Sequence, residues 1–194
     1  MPPFRQQSGS TLNANRVNQS YLNSGLELVG GNSFSGTSVQ ITNLVSAMAT
    51  PFTSRNRSYR LVIMQTSSVV ASTAFLKLRT TVDHSANYYF AGTSLTDTAV
   101  QTTQFGSNVA TGWRIGATNT GASNQLLSAT IDIFMPQETR ETGFVVEARE
   151  GSTVTTGGMY QAGGFCDINT QFTSFSLVCA SSMTGVMMLY GWRS

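Results

Sequence analysis

Apolar and polar residues alternate along most of this chain with a period of two, the spacing that sends every second side chain of a β-strand to the same face. In Leu126–Met135 the pattern is clearest: Leu127, Ala129, Ile131, Ile133 and Met135 share one face, and Ser128, Thr130 and Asp132 the other. Near the C-terminus Phe175, Leu177 and Cys179 alternate with Ser174, Ser176 and Val178. Further strands are predicted at Leu26–Val29, Val39–Val45, Tyr59–Thr66, Phe75–Val82, Tyr88–Ala91, Gly112–Gly116, Phe144–Arg149, Met159–Ala162, Phe172–Ala180 and Val186–Trp192. Turn residues separate them at Gly30-Gly31-Asn32, Asn119-Thr120-Gly121, Glu150-Gly151-Ser152, Gly157-Gly158 and Gly163-Gly164. No stretch sustains the i, i+3, i+4, i+7 apolar spacing of a helix. Closely spaced strands without helices predict an all-β fold, a single-domain β-sandwich over residues 21–194. The number of strands suits a jelly-roll-like arrangement with extra edge strands.

Two segments break the alternation. Leu61-Val62-Ile63-Met64 and Val186-Met187-Met188-Leu189 are apolar on both faces. One face can enter the sandwich, and the other must meet a second layer, because large side chains left in water forfeit about 25 cal/mol per Å². Contiguous exposure of that kind marks an interface. The stretch Met1–Ser20 differs in the opposite sense. Its Pro, Gln, Asn, Ser and Gly leave too little apolar surface to offset the entropy of ordering it alone. It reads either as a frayed terminus or as an extended N-terminal arm that orders against a neighbour through anchors such as Phe4, Leu12 and Val17.

Composition sharpens the picture. Only 10% of the 194 residues are charged, against about 25% in average soluble proteins. With a net charge of +2, copies of the chain repel one another little, which favours life in an assembly. Lys77 is the only lysine and the arginines are dispersed, so nothing resembles a nucleic-acid face. No segment is apolar for long enough to span a bilayer as a helix. Met1–Ser20 lacks the apolar core of a signal peptide, so folding in a cytoplasm is expected. There, Cys166 and Cys179 are expected to remain buried free thiols rather than a cross-strand disulfide.

The residues offer little for catalysis. His84 is the only histidine; it follows Asp83, and it reads as a solvated loop residue. Glu138, Glu141, Glu147 and Glu150 cluster in sequence, but Arg140 and Arg149 stand ready as their partners, which argues against a paired-carboxylate glycosidase. One histidine and two distant cysteines give no metal-ligand spacing, and the Gly pairs read as turns rather than phosphate cradles. No enzyme activity, metal or cofactor is expected. The sharpest charged feature is Arg55-Asn56-Arg57-Ser58-Tyr59-Arg60, which is either a solvated loop or a patch for carboxylates of a partner.

The ending Phe172–Gly191 combines an alternating strand, a Ser181-Ser182-Met183-Thr184-Gly185 connection expected to reverse the chain, and a closing Leu189-Tyr190-Gly191. It resembles the closing hairpin of tailed-bacteriophage structural proteins such as capsid decoration (cement) proteins, head fibres and tail appendages. That likeness covers roughly the last tenth of the chain and departs from the family pattern at Met183, where a small residue is commoner. The resemblance implies a homotrimer bound to the major capsid protein on the outside of a phage head, assembled in the host cytoplasm. Phe4, Arg5, Leu12 and Arg16 of the arm, with Arg55, Arg57 and Arg60, are then the candidate lattice contacts. Val186, Met187, Met188, Leu189 and Tyr190 are the candidate subunit interface. The competing implication is a head fibre or tail appendage that binds a carbohydrate or other receptor, with Trp113, Tyr88, Tyr89 and Phe90 stacking on a surface glycan.

Overall fold

The computed structural model describes residues 25–41, 51–68, 72–96, 101–109, 111–118, 127–150 and 158–193. These form ten strands and no helix. They are β1 (Leu26–Ile41), β2 (Asn56–Ser68), β3 (Ser72–Arg79), β4 (Tyr88–Thr96), β5 (Gln101–Val109), β6 (Trp113–Thr118), β7 (Ser128–Phe134), β8 (Thr142–Glu150), β9 (Gly158–Cys166) and β10 (Ser174–Arg193). All pairings are antiparallel, in the order β5-β4-β9-β8-β7-β2-β10-β3-β6, with β1 on the other edge of β10. The predicted arm, including Phe4, Arg5, Leu12, Arg16 and Val17, lies outside the described residues.

The predicted closing hairpin is instead one continuous strand of 20 residues. Ser174–Cys179 pairs with β3, Met183–Arg193 pairs with β2, and β1 follows the opposite edge of both halves. The pairing to β1 jumps from Val178↔Ser38 to Met183↔Gly36, so the Ser-rich connection bends β10 without reversing it. On either side of that connection β10 has a neighbour on both edges, which satisfies its backbone groups through ladder hydrogen bonds. Gly185 serves close packing here: a Cβ at this position would strike the Met64 carbonyl and the Phe34 ring. Gly163-Gly164, predicted as a turn, likewise lies inside β9, where a Cβ on Gly164 would collide with the Tyr89 carbonyl. Gly30-Gly31-Asn32 sits within β1 beside a register shift.

The bend in β10 gives the sheet two layers. The C-terminal half of β10 continues through β2, β7, β8, β9, β4 and β5, and the N-terminal half carries β3 and β6. β6 packs across the interior onto β7, β8, β9 and β4. Alternation fills the space between: Tyr59, Leu61 and Ile63 of β2, Ala129, Ile131 and Ile133 of β7, and Phe144 and Val146 of β8 are buried on one layer. Leu76 and Leu78 of β3, Trp113 and Ile115 of β6, and Phe175 and Leu177 of β10 meet them from the other. Trp113 stacks on Phe144 at 4.4 Å between centroids, meets Tyr88 edge-on at 5.6 Å, and donates Nε1–H to the Phe165 carbonyl at 3.1 Å. Phe52 joins the layers at one end, 4.8 Å from Tyr59 and 5.7 Å from Phe175. One hydrophobic core results, in a single domain.

Candidate interaction face

The two segments predicted to be apolar on both faces prove to be cross-strand partners. Val186 faces Met64, Met187 faces Ile63, Met188 faces Val62 and Leu189 faces Leu61. Met187 and Leu189 turn inward with Ile63 and Leu61 and are core residues, so they do not line the surface assigned to them. Val186, Met188 and Tyr190 turn outward. This outer side extends across the whole larger layer, because the register carries it from strand to strand. Ser33, Val186, Met64, Ser128, Arg149, Met159 and Leu95 form one row across β1, β10, β2, β7, β8, β9 and β4. A second, through the same strands, reads Leu28, Tyr190, Arg60, Asp132, Val145, Gly163 and Ala91. A third reads Leu26, Trp192, Ser58, Phe134, Gly143, Phe165 and Tyr89.

Leu28, Met64, Leu95, Phe134, Val145, Met159, Phe165, Val186 and Trp192 all lie on this face and are 36–59% exposed. Val82, in the loop after β3, is the other large hydrophobic residue exposed among those described. At roughly 200 Å² for a large side chain in full exposure, the face leaves on the order of 800 Å² of such side chains in water, about 400 Å² in each of two patches, the size of the largest and often functional apolar patch of a typical monomer. Two patches hold most of it. A ribbon patch on β1, β10 and β2 contains Leu28, Val62, Met64, Val186, Met188, Tyr190 and Trp192. A distal patch on β8, β9 and β4 contains Val145, Met159, Phe165, Tyr89 and Leu95, with Phe165 and Tyr89 stacked at 5.1 Å. Ser128, Thr130 and Asp132 of β7, and Glu147 and Arg149 of β8, run between them as a polar stripe. Beside it, a shallow depression of about 500 Å³ opens over Ala91, Thr93, Val145, Glu147, Gln161 and Gly163.

Charge on this face is balanced. Arg60 grips Asp132 through two hydrogen bonds of 2.7 Å and lies 5.9 Å from the Trp192 ring. The Asp132 carboxylate, with Glu147 beyond it, raises the Arg60 pKa above its ordinary value. Arg60 and Arg149 against Asp132 and Glu147 sum to zero. The other two arginines of the group are also paired internally, Arg55 with Glu27 at 3.1 Å and Arg57 with Glu138 at 2.9 Å. The arginine group therefore closes one end of the fold on its own carboxylates.

Residues weighed for chemistry have structural neighbours. Asp83 accepts hydrogen bonds from Arg79 at 2.7 Å and Ser176 at 2.6 Å, while the His84 ring packs near Tyr88 and Phe172. Burial lowers the His84 pKa. Glu147 faces outward, whereas Glu150 on the same strand faces inward to Arg114 at 2.9 Å and to the Ser94 hydroxyl. Glu138 lies between Arg57 and Arg140. Among the described residues no group of three or more His, Cys, Asp or Glu is placed to hold a metal ion. Cys166 and Cys179 are buried and not joined in a disulfide, and burial pushes the Cys166 pKa up to about 12. Trp113 and Tyr88, candidates for sugar stacking, are core residues; Phe90 packs against the core, and Tyr89 alone of the four belongs to the outer face.

No protein-family model, curated protein or solved structure matches the chain. Its geometry suits recognition by burial of apolar surface across a broad, neutral sheet face. The sequence pointed to Val186, Met188, Tyr190, Val62 and Met64 of that face. It missed Phe134, Val145, Met159 and Phe165, whose only signal was a large apolar residue at an outward position of a predicted strand or beside a glycine pair.

Proposed function

We propose that this chain is a non-enzymatic virion structural protein: a capsid decoration protein that binds the outside of a bacteriophage head as a homotrimer and stabilises the shell. The observation that carries this reading is the broad apolar face with no net charge on a domain with few charges elsewhere. Such a face gains free energy by covering a large area, and a trimer strengthens its hold by engaging several lattice subunits at once. Engagement of His84, Asp83, Glu138 and Glu150 in internal contacts supports a mechanical rather than a catalytic role. The major capsid protein is the proposed partner, with no part for nucleic acid, membrane or cofactor. Imaging purified particles from wild-type and deletion strains tests this: density for this domain outside the head is expected, and its absence from heads refutes the proposal.

A second reading, a head-fibre or tail-appendage protein that binds a glycan, is favoured by the depression over Thr93, Glu147 and Gln161 beside the Phe165–Tyr89 stack. Polar side chains there can meet hydroxyls next to an aromatic wall. A glycan array with specific binding, lost in Gln161→Ala, would favour this reading over the first.

A further inference from the structure

We infer that copies of this chain associate through the outer face of the larger layer, the ribbon patch of one copy seating on the distal patch of the next. This rests on the reading of the protein as an assembling structural component and names its self-contact. The area fits: each patch leaves on the order of 400 Å² of large apolar side chains in water, about the apolar half of the roughly 800 Å² per partner that a stable interface buries. The charge fits too, because a face bearing two arginines and two carboxylates presents no net charge to a copy of itself. Arrangement decides the pairing. The two patches flank the β7–β8 polar stripe, with Met64 of β2 and Met159 of β9 in one row three strand positions apart, about 14 Å at the usual strand spacing. Ribbon on ribbon would leave the distal patch in water, whereas ribbon on distal uses both surfaces of every copy. Repeated head to tail, that contact closes a ring when successive copies are related by one-third of a turn.

Met64 and Met159 are 50% and 57% exposed, so arginine at either enters solvent without disturbing the core. Sedimentation equilibrium of wild type, Met64→Arg and Met159→Arg reads association, and thermal melting checks that each variant remains folded. Self-association of wild type at micromolar concentration is expected. Each variant alone should associate at least tenfold more weakly, and an equimolar mixture should regain a one-to-one pair. In that pair the intact ribbon patch of Met159→Arg meets the intact distal patch of Met64→Arg. A wild type that stays monomeric overturns the inference, as does wild-type association by Met159→Arg alone or a mixture that fails to pair. Cosedimentation with heads is scored separately: a monomer that still binds heads removes only the self-contact, and failure to bind heads by a protein that self-associates as described removes only the lattice reading.

Discussion

Replacing Glu150 with alanine should be among the most damaging single changes in this fold. Its carboxylate and the Arg114 guanidinium are 2.9 Å apart, with side chains only 7% and 13% exposed. Ser94 donates to the other carboxylate oxygen, and the guanidinium lies 4.7 Å from the Tyr160 ring. Arg114 Nε and the Tyr160 hydroxyl are buried without hydrogen-bond partners, so the cluster has little reserve with which to absorb a lost acceptor. Removing one member of a buried pair costs about 3–5 kcal/mol, because the remaining charge stays out of water. At this chain length each kcal/mol lowers Tm by roughly 2–4 °C, so a fall of about 10 °C is expected. The double replacement Arg114→Leu/Glu150→Leu removes both charges and should recover most of that loss. Calorimetry on Arg114→Leu, Glu150→Leu and the double closes the cycle. If Glu150→Ala lowers Tm by less than about 3 °C, the guanidinium has reached water and the argument from burial is wrong.

Other consequences can be checked on the same protein. Burial holds the folded-state His84 pKa below its usual 6.5, so the unfolded chain takes up a proton first as pH falls. Stability should therefore decline from pH 6.5 downward until folded His84 also titrates, and His84→Gln should flatten that part of the Tm–pH curve; parallel curves for the two proteins would refute the assignment. Gly185→Ala forces a methyl against the Met64 carbonyl and Phe34 ring and should cost about 1–3 kcal/mol by urea titration; an unchanged midpoint would show that β10 yields there. Arg57→Ala breaks a pair whose arginine is 61% exposed and should change stability by less than about 1 kcal/mol, with a smaller effect still in high salt. A thiol reagent should label neither cysteine in the native protein and both once it is unfolded without reductant; denatured protein that still resists labelling would reveal a disulfide.

The fold class was legible in the sequence because burial imposes a period that survives in single strands. Leu127, Ala129, Ile131 and Ile133 are buried as their alternation predicts. The doubly apolar segments were legible as unusual, although not as partners: the Val186–Met64 register spans 122 residues of chain, and one sequence carries no signal for that pairing. Chain direction at Ser181–Gly185 was misread for a physical reason. Ser and Gly favour turns when backbone groups lack partners. Here Met183–Gly185 pairs β1 on one edge and β2 on the other, and Val178 just before the connection pairs β1 and β3, so the chain runs on in the same direction. β5 escaped detection because Gln101-Thr102-Thr103-Gln104 has no apolar alternation, and β4 supplies its ladder partner. Arginine partners were hidden by distance as well: Arg57 finds Glu138 across 81 residues and Arg60 finds Asp132 across 72.

β10 connects these observations. Both layers hang from it, and β1, its companion along nearly the whole length, begins 166 positions before Trp192, the residue it first meets. Pairs this distant in sequence form late, since loop closure must precede the contacts that reward it. Until they form, β2 and β3 lack their neighbour on β10, and Val186, Met188, Met64 and Leu28 stand beside unpaired backbone edges. With only 10% of residues charged, repulsion between copies does little to guard a chain whose edges beside β10 are still open. Completing β10 removes the open edges beside it but leaves the outer side chains of the ribbon patch in water, so folding alone does not bury this surface. A chain selected only to remain a soluble monomer gains nothing from keeping it. Under the proposed self-contact it has a use, because the strand that completes the fold then offers the next copy a surface present only on finished molecules.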